Sequence, residues 1–115
     1  MRLWLAAAAV NGALAVMAGA FAAHGLETRL SPRMLEVFET GARYHMVHAL
    51  AMGLAALVDA RWAAMLFLAG IVLFSGSLYL LALSGAGMLG AITPLGGVLF
   101  LAGWAMLAVS ALRRP

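Results

Sequence analysis

From residue 62 to residue 112 the chain carries no charged side chain, a run of 51 residues. As a single helix that run would extend about 76 Å at ~1.5 Å per residue, against a bilayer hydrocarbon core of about 30 Å. It must therefore fold back on itself, and the glycine-rich stretch SGAGMLGAI (84–92) is the place where it can. A water-soluble chain would need polar surface to cover such a run. Here 66% of the 115 residues are hydrophobic and only 10% are charged, against roughly 45–50% and about 25% in ordinary globular domains. Lipid is the solvent that fits this composition.

Two further uncharged runs precede the long one. The first covers residues 3–23, and the second covers 44–58 with two histidines inside it. A spanning helix needs about 20 apolar residues. The expectation is a single all-α integral membrane domain over residues 1–115, an antiparallel bundle of four transmembrane helices at about 3–23, 40–58, 62–83 and 94–112. The runs are uniformly apolar and rich in alanine and leucine, without the alternation of a barrel strand. In lipid, a helix pairs its backbone groups within the segment. Arg2 and Ala20-Phe21-Ala22 imitate a signal peptide, but the apolar stretch outruns the usual 7–15 residues, so it is read as a retained span.

The polar segment LSPRMLEVFETGAR (30–43) separates the first two spans. Ser31 suits an N-cap and Pro32 the first helical position. Met34, Val37, Phe38 and Ala42 share one face, while Arg33, Glu36, Glu39 and Arg43 lie away from it. Residues 31–43 thus read as a short amphipathic helix at the membrane surface, able to continue into the second span with a bend at Gly41. Arg2, Arg61, Arg113 and Arg114 fall on one side and Arg29, Arg33 and Arg43 on the other. With the N-terminal amine added, this bias places both termini in the cytoplasm.

The pI of about 10.7 comes from seven arginines, with no lysine, set against four acids. They are dispersed rather than clustered with aromatics, which argues against nucleic acid as a partner. The absence of cysteine excludes disulfides, thiol catalysis and cysteine metal sites. Gly85, Gly87 and Gly90 have the spacing G-x-G-x-x-G, but no strand precedes them and no acidic residue follows Asp59. A nucleotide loop needs both, so no nucleotide is expected. The three glycines are read instead as the reversal between spans three and four, with Thr93 as N-cap and Pro94 in the first turn of the last span.

Small residues recur near heptad spacing: Gly12 and Gly19, Gly70, Ser77 and Ser84, Gly96, Gly103 and Ser110, with Gly53 between Ala49 and Ala56. Helix association in lipid relies on close packing, which small residues allow. Gly12, Gly19, Gly53, Gly70, Ser77, Gly96 and Gly103 are therefore the expected packing positions.

Polar residues within spans are costly and hence informative. Asn11 is read as an interhelical hydrogen-bonding residue. Thr40, Tyr44 and His48 form one stripe at i, i+4, i+8, with His45 beside them and His24 leaving the first span on the same side. Ser75 and Tyr79 share a face in the third. The candidate polar cluster is His24, Thr40, Tyr44, His48, Ser75 and Tyr79. Three imidazoles, His24, His45 and His48, have the chemistry of a metal or haem site, although their spacing is that of any helix face and no cofactor is expected. No histidine or carboxylate in the same span could activate Ser75 or Ser77, and all four acids fall outside the uncharged runs.

The stretches GAFAAHGL (19–26), TGARYHMVHAL (40–50), LFSGSLYLLAL (73–83) and TPLGGVLFLAGW (93–104) resemble the bacterial YgdD-like inner-membrane family, the domain of unknown function 423, related to the eukaryotic proteins called transmembrane protein 256. The resemblance covers nearly the whole chain. It implies a four-helix membrane protein of the bacterial inner membrane and supplies no activity. Its pattern falls on His24, Thr40, Gly41, Tyr44, His48, Ser75, Gly76, Ser77, Tyr79, Thr93, Pro94, Gly96, Gly97 and Trp104. His45 departs from it, glutamine being familiar there, and Asn11 lies outside it.

The function expected is non-enzymatic: a subunit, stabiliser or assembly factor for a membrane assembly, with the bilayer, other membrane proteins or a second copy as partners. The alternatives are an oligomeric carrier or channel for a small solute, lined by Tyr44, His48, Ser75 and Tyr79, and a metal- or haem-binding protein built on the three histidines.

Overall fold

The computed structural model of the protein describes residues 1–113. All its regular elements are helical: α1 (Arg2–Phe21), α2 (Pro32–Leu57), α3 (Arg61–Gly70), α4 (Gly76–Ser84) and α5 (Thr93–Arg113). A π-helical turn, Ala22–Leu26, prolongs α1, another, Ile71–Ser75, fuses α3 to α4, and a 3-10 turn, Gly87–Ala91, precedes α5. The result is four long rods. Three of them are long and apolar enough to cross a membrane: Arg2–Leu26, Arg61–Ser84 and Gly87–Arg113. α2 is as long, but Arg33, Glu36, Glu39, Arg43 and two histidines lower its hydropathy.

Of the two forms expected for this region, a short surface helix between the first two spans or one running on into the second span, α2 takes the continuous one. Ser31 caps it, its hydroxyl accepting from the Met34 N–H at 3.2 Å, with Pro32 in the first turn. From there the helix runs unbroken to Leu57. Gly41 does not interrupt it, and it is closely packed: a Cβ there would stand 3.0 Å from the Tyr79 ring and 3.3 Å from Leu78. Phe38 joins Ala22, Leu26 and Ala82 in a small apolar cluster. The amphipathic turns are thus held against the ends of α1 and α4.

Neighbouring rods run antiparallel. Gly53 of α2 faces Ala8 of α1, while His45 meets Asn11. Gly70 and Gly96 let Phe100 and Phe74 into the seam between α3–α4 and α5, and Gly103 admits Phe67. The order of contact is α1 on α2, α2 on α3–α4, and α3 on α5, with α1 resting chiefly on α2. The Cα envelope is accordingly flat, 52 × 26 × 17 Å. A square bundle would have brought the first and last rods together. Here they stand in a row, and aromatic side chains from α5 reach across to α2.

The turns follow local chemistry. α2 ends with Asp59 at φ 55°, its N–H bonded to Ala56 O at 3.2 Å and the Ala60 N–H to Ala55 O at 2.8 Å. This is a Schellman closure, with aspartate tolerating the left-handed region that glycine usually fills. α4 ends at Gly85, φ 73°, whose N–H bonds Leu81 O at 2.8 Å. The expected reversal at 84–92 is present, but only Gly85 has a positive φ; Gly87 and Gly90 lie in the 3-10 turn. The ends sort by charge. Arg2, Asp59, Arg61 and Arg113 cluster at the end with the termini, and Glu27, Arg29, Arg33, Glu36, Glu39 and Arg43 toward the other. Arg114 lies outside the described residues.

Candidate functional site

The interior polar groups form two centres on α2, one helical turn apart. At the first, His45 is buried with both ring nitrogens engaged. Nε2 lies 3.0 Å from Asn11 Oδ1 and Nδ1 2.9 Å from the Tyr79 hydroxyl. Asn11 Nδ2 donates to Ala7 O at 2.9 Å, which orients the amide with its oxygen toward the ring. An amide oxygen only accepts, so His45 carries its proton on Nε2 and the Tyr79 hydroxyl donates to Nδ1. One directed chain therefore runs Tyr79, His45, Asn11, Ala7 O and ties α4 to α2 to α1.

At the second centre, His48 is 4% exposed. Its Nδ1 is 2.8 Å from the Tyr44 carbonyl and its Nε2 accepts from the Trp104 indole N–H at 3.1 Å. The ring stacks on Phe100 at 3.5 Å between centroids and 6° between planes, with Phe67 5.7 Å away. This centre ties α2 to α5.

Serines close the seams nearby. The π turn at Ile71–Ser75, marked by the Gly76 N–H reaching back to Ile71 O, adds a residue to the turn just before α4. Ser75, with 0% exposure, donates to Gly41 O at 2.7 Å. Ser77 donates to Phe74 O at 2.9 Å, and its oxygen lies 2.6 Å from the Thr93 hydroxyl. Thr93 was expected to cap α5. Its hydroxyl bridges to Ser77 instead and lies 3.5 Å from Leu89 O.

Of the six residues placed in one cluster by the sequence, the structure joins Tyr79 to His45, and His48 and Ser75 lie beside them. Thr40 bonds back to Glu36 O at 2.9 Å on its own helix. Tyr44 is 41% exposed; its ring packs 4.9 Å from Phe74 while its carbonyl serves His48. His24 is exposed in the π turn after α1, and among the described residues no three of His, Asp and Glu come together as metal ligands. His45 and His48 also have no free ring nitrogen to offer. Gly12 and Gly19 were expected at a helix interface, yet a Cβ on either would meet nothing within 4 Å. Two partners were missed: His45 for Asn11, and Trp104 for His48. An indole N–H within an apolar span requires an acceptor, and that was the available signal for the second.

Long apolar helices enclosing fully engaged polar side chains define this as a helical membrane protein. The model of the family described as "Protein of unknown function (DUF423)" matches residues 18–97. The chain belongs to this family. It is 44% identical to the UPF0382 membrane protein YwdK of Bacillus subtilis over 98% of each chain. It is 43% identical to a UPF0382 membrane protein of Staphylococcus epidermidis, again over 98% of each. The relative from Staphylococcus saprophyticus is 45% identical over 95% of this chain and 96% of its own. No solved structure matches.

Proposed function

We propose that the protein is a non-enzymatic component of a membrane assembly (a subunit, stabiliser or assembly factor) that crosses the bacterial inner membrane four times with both termini in the cytoplasm. α2 supplies the fourth crossing. Its low hydropathy is no obstacle, since His45 and His48 are buried against neighbouring rods and are not offered to lipid. The arginine bias at the terminal end supports the orientation.

One observation carries the reading. Among the described residues, no buried side-chain nitrogen or oxygen lacks a hydrogen-bond partner. Asn11, His45, His48, Ser75, Ser77 and Tyr79 direct their polar atoms at one another and at backbone carbonyls. A carrier needs polar groups that exchange partners with a solute, and a catalyst needs a group free to react. These groups act as interhelical ties. What the molecule offers outward is apolar surface along the rods and the exposed charges Arg33 and Glu36 on the first turns of α2. Those turns are the surface through which a partner would be held.

Purification from native membranes in mild detergent, with and without the paired reversal Arg33→Glu and Glu36→Lys, tests this. A stoichiometric partner should accompany the unaltered protein and leave the reversed one. If both run as the same partner-free species, or if the purified protein makes liposomes permeable to small solutes, the reading fails.

A further inference from the structure

The seam between α1 and α2 is open toward the lipid along most of its length. In one half lies an apolar groove of about 440 Å³ whose floor is Ala8, Gly12, Ala49 and Gly53. In the other half, a recess of about 280 Å³ is formed by Ala15, Gly19 and Ala42 together with Glu39 and Arg43. The two glycines on α1 create both hollows, since a Cβ on either would meet nothing within 4 Å. From Gly19 to Ala8 the seam extends roughly 16 Å at ~1.5 Å per residue, about the half-thickness of a ~30 Å hydrocarbon core. One end is charged with both signs and the rest is smooth and apolar. In helices the side chains lean toward the N-terminus. For α2 that is the loop end of the molecule, so the Arg43 chain reaches toward the headgroup layer while its stem stays in the apolar zone.

We propose that this seam binds a phosphatidylethanolamine-type lipid, with an acyl chain laid along Gly19, Gly12 and Ala8, its phosphate on Arg43 and its ammonium on Glu39. A guanidinium is suited to a phosphate oxygen pair. A carboxylate one helical turn away faces the same recess, and the two-carbon linker of an ethanolamine headgroup sets its ammonium beside its phosphate. A choline headgroup carries no N–H to donate to Glu39, and a glycerol headgroup carries no cation, so the mixed charge of the recess selects the aminophospholipid.

Native mass spectrometry of the full chain, released from detergent containing equal amounts of ethanolamine, choline and glycerol phospholipids of one chain length, tests the assignment. The ethanolamine lipid should be retained several-fold over the other two. Glu39→Gln should abolish the preference over choline, Arg43→Gln should weaken retention of all three, and Gly12→Leu should do the same by filling the groove. A Cβ at Gly12 meets nothing within 4 Å and Glu39 and Arg43 are exposed, so the fold is retained in each variant. Equal retention of the three lipids, preference for the glycerol lipid, or indifference to Gly12→Leu would each overturn the proposal. So would disulfide dimers formed by Gly12→Cys in membranes, because a second copy would then occupy the seam.

Discussion

His48 has only one state compatible with its surroundings. The Tyr44 carbonyl can only accept and the Trp104 indole can only donate, so the ring is neutral with its proton on Nδ1. Trp104→Phe should therefore orphan Nε2, and unfolding in mixed micelles by a graded detergent titration should show a loss of about 0.6–1.7 kcal/mol, the range for interhelical hydrogen bonds in membranes. His45 behaves differently. In His45→Gln the amide can still donate to Asn11 Oδ1 and accept from Tyr79, so stability should change little, whereas His45→Leu severs both bonds. Adding Asn11→Leu to His45→Leu should then cost less than Asn11→Leu alone, a coupling that a double-mutant cycle reads directly. That Asn11 makes an interhelical bond was legible in the sequence, because an amide at mid-span needs a partner. Which partner was not, since Asn11 and His45 are 34 residues apart and their pairing depends on the rotation of two helices. Periodicity does not fix that rotation. The same limit explains Thr40, which shares a stripe with His48 but bonds back to its own helix at Glu36 O, while the Tyr44 ring stacks beside His48.

At the scale of elements, glycines of similar appearance do different work. Gly85 alone in its loop has φ in the left-handed region, where an L-residue with a Cβ costs about 1–2 kcal/mol. Gly85→Ala should lower stability by about that amount, while Gly87→Ala and Gly90→Ala should be near neutral in the same titration. On α5, a Cβ at Gly96 would collide with the Phe74 backbone, which cannot rotate away. Gly96→Ala should cost about 1–3 kcal/mol as an overpacked contact, against almost nothing for Gly12→Ala, whose Cβ meets open space. Heptad spacing marked Gly12, Gly19, Gly70, Gly96 and Gly103 alike. It reports that a stripe is smooth but not whether another helix or lipid lies against it. In α2 the cap at Ser31 and Pro32 and the possibility of running on into the second span were legible, but the packing of Gly41 against Tyr79 and Leu78, which are distant in sequence, was not.

At the scale of the molecule, the number of rods follows from charge placement, and that was the most legible feature of the chain. Uncharged runs and the length of a helix per residue leave few other ways to fold residues 62–112. Their arrangement in a flat row was not legible, because small residues on two faces of α2 and large ones on α5 decide it together. With four crossings, hydrocarbon surrounds the rods and the polar ties face inward. The chain contains no cysteine, which makes single cysteines at Arg2, Thr28, Arg61 and Ala86 clean reporters. Labelling of sealed, oriented vesicles with a membrane-impermeant maleimide is the most direct measurement. Positions 2 and 61 should react from the cytoplasmic face, and positions 28 and 86 only from the opposite one. Reaction of 28 and 61 from the same face would mean that α2 does not cross, and would contradict the account.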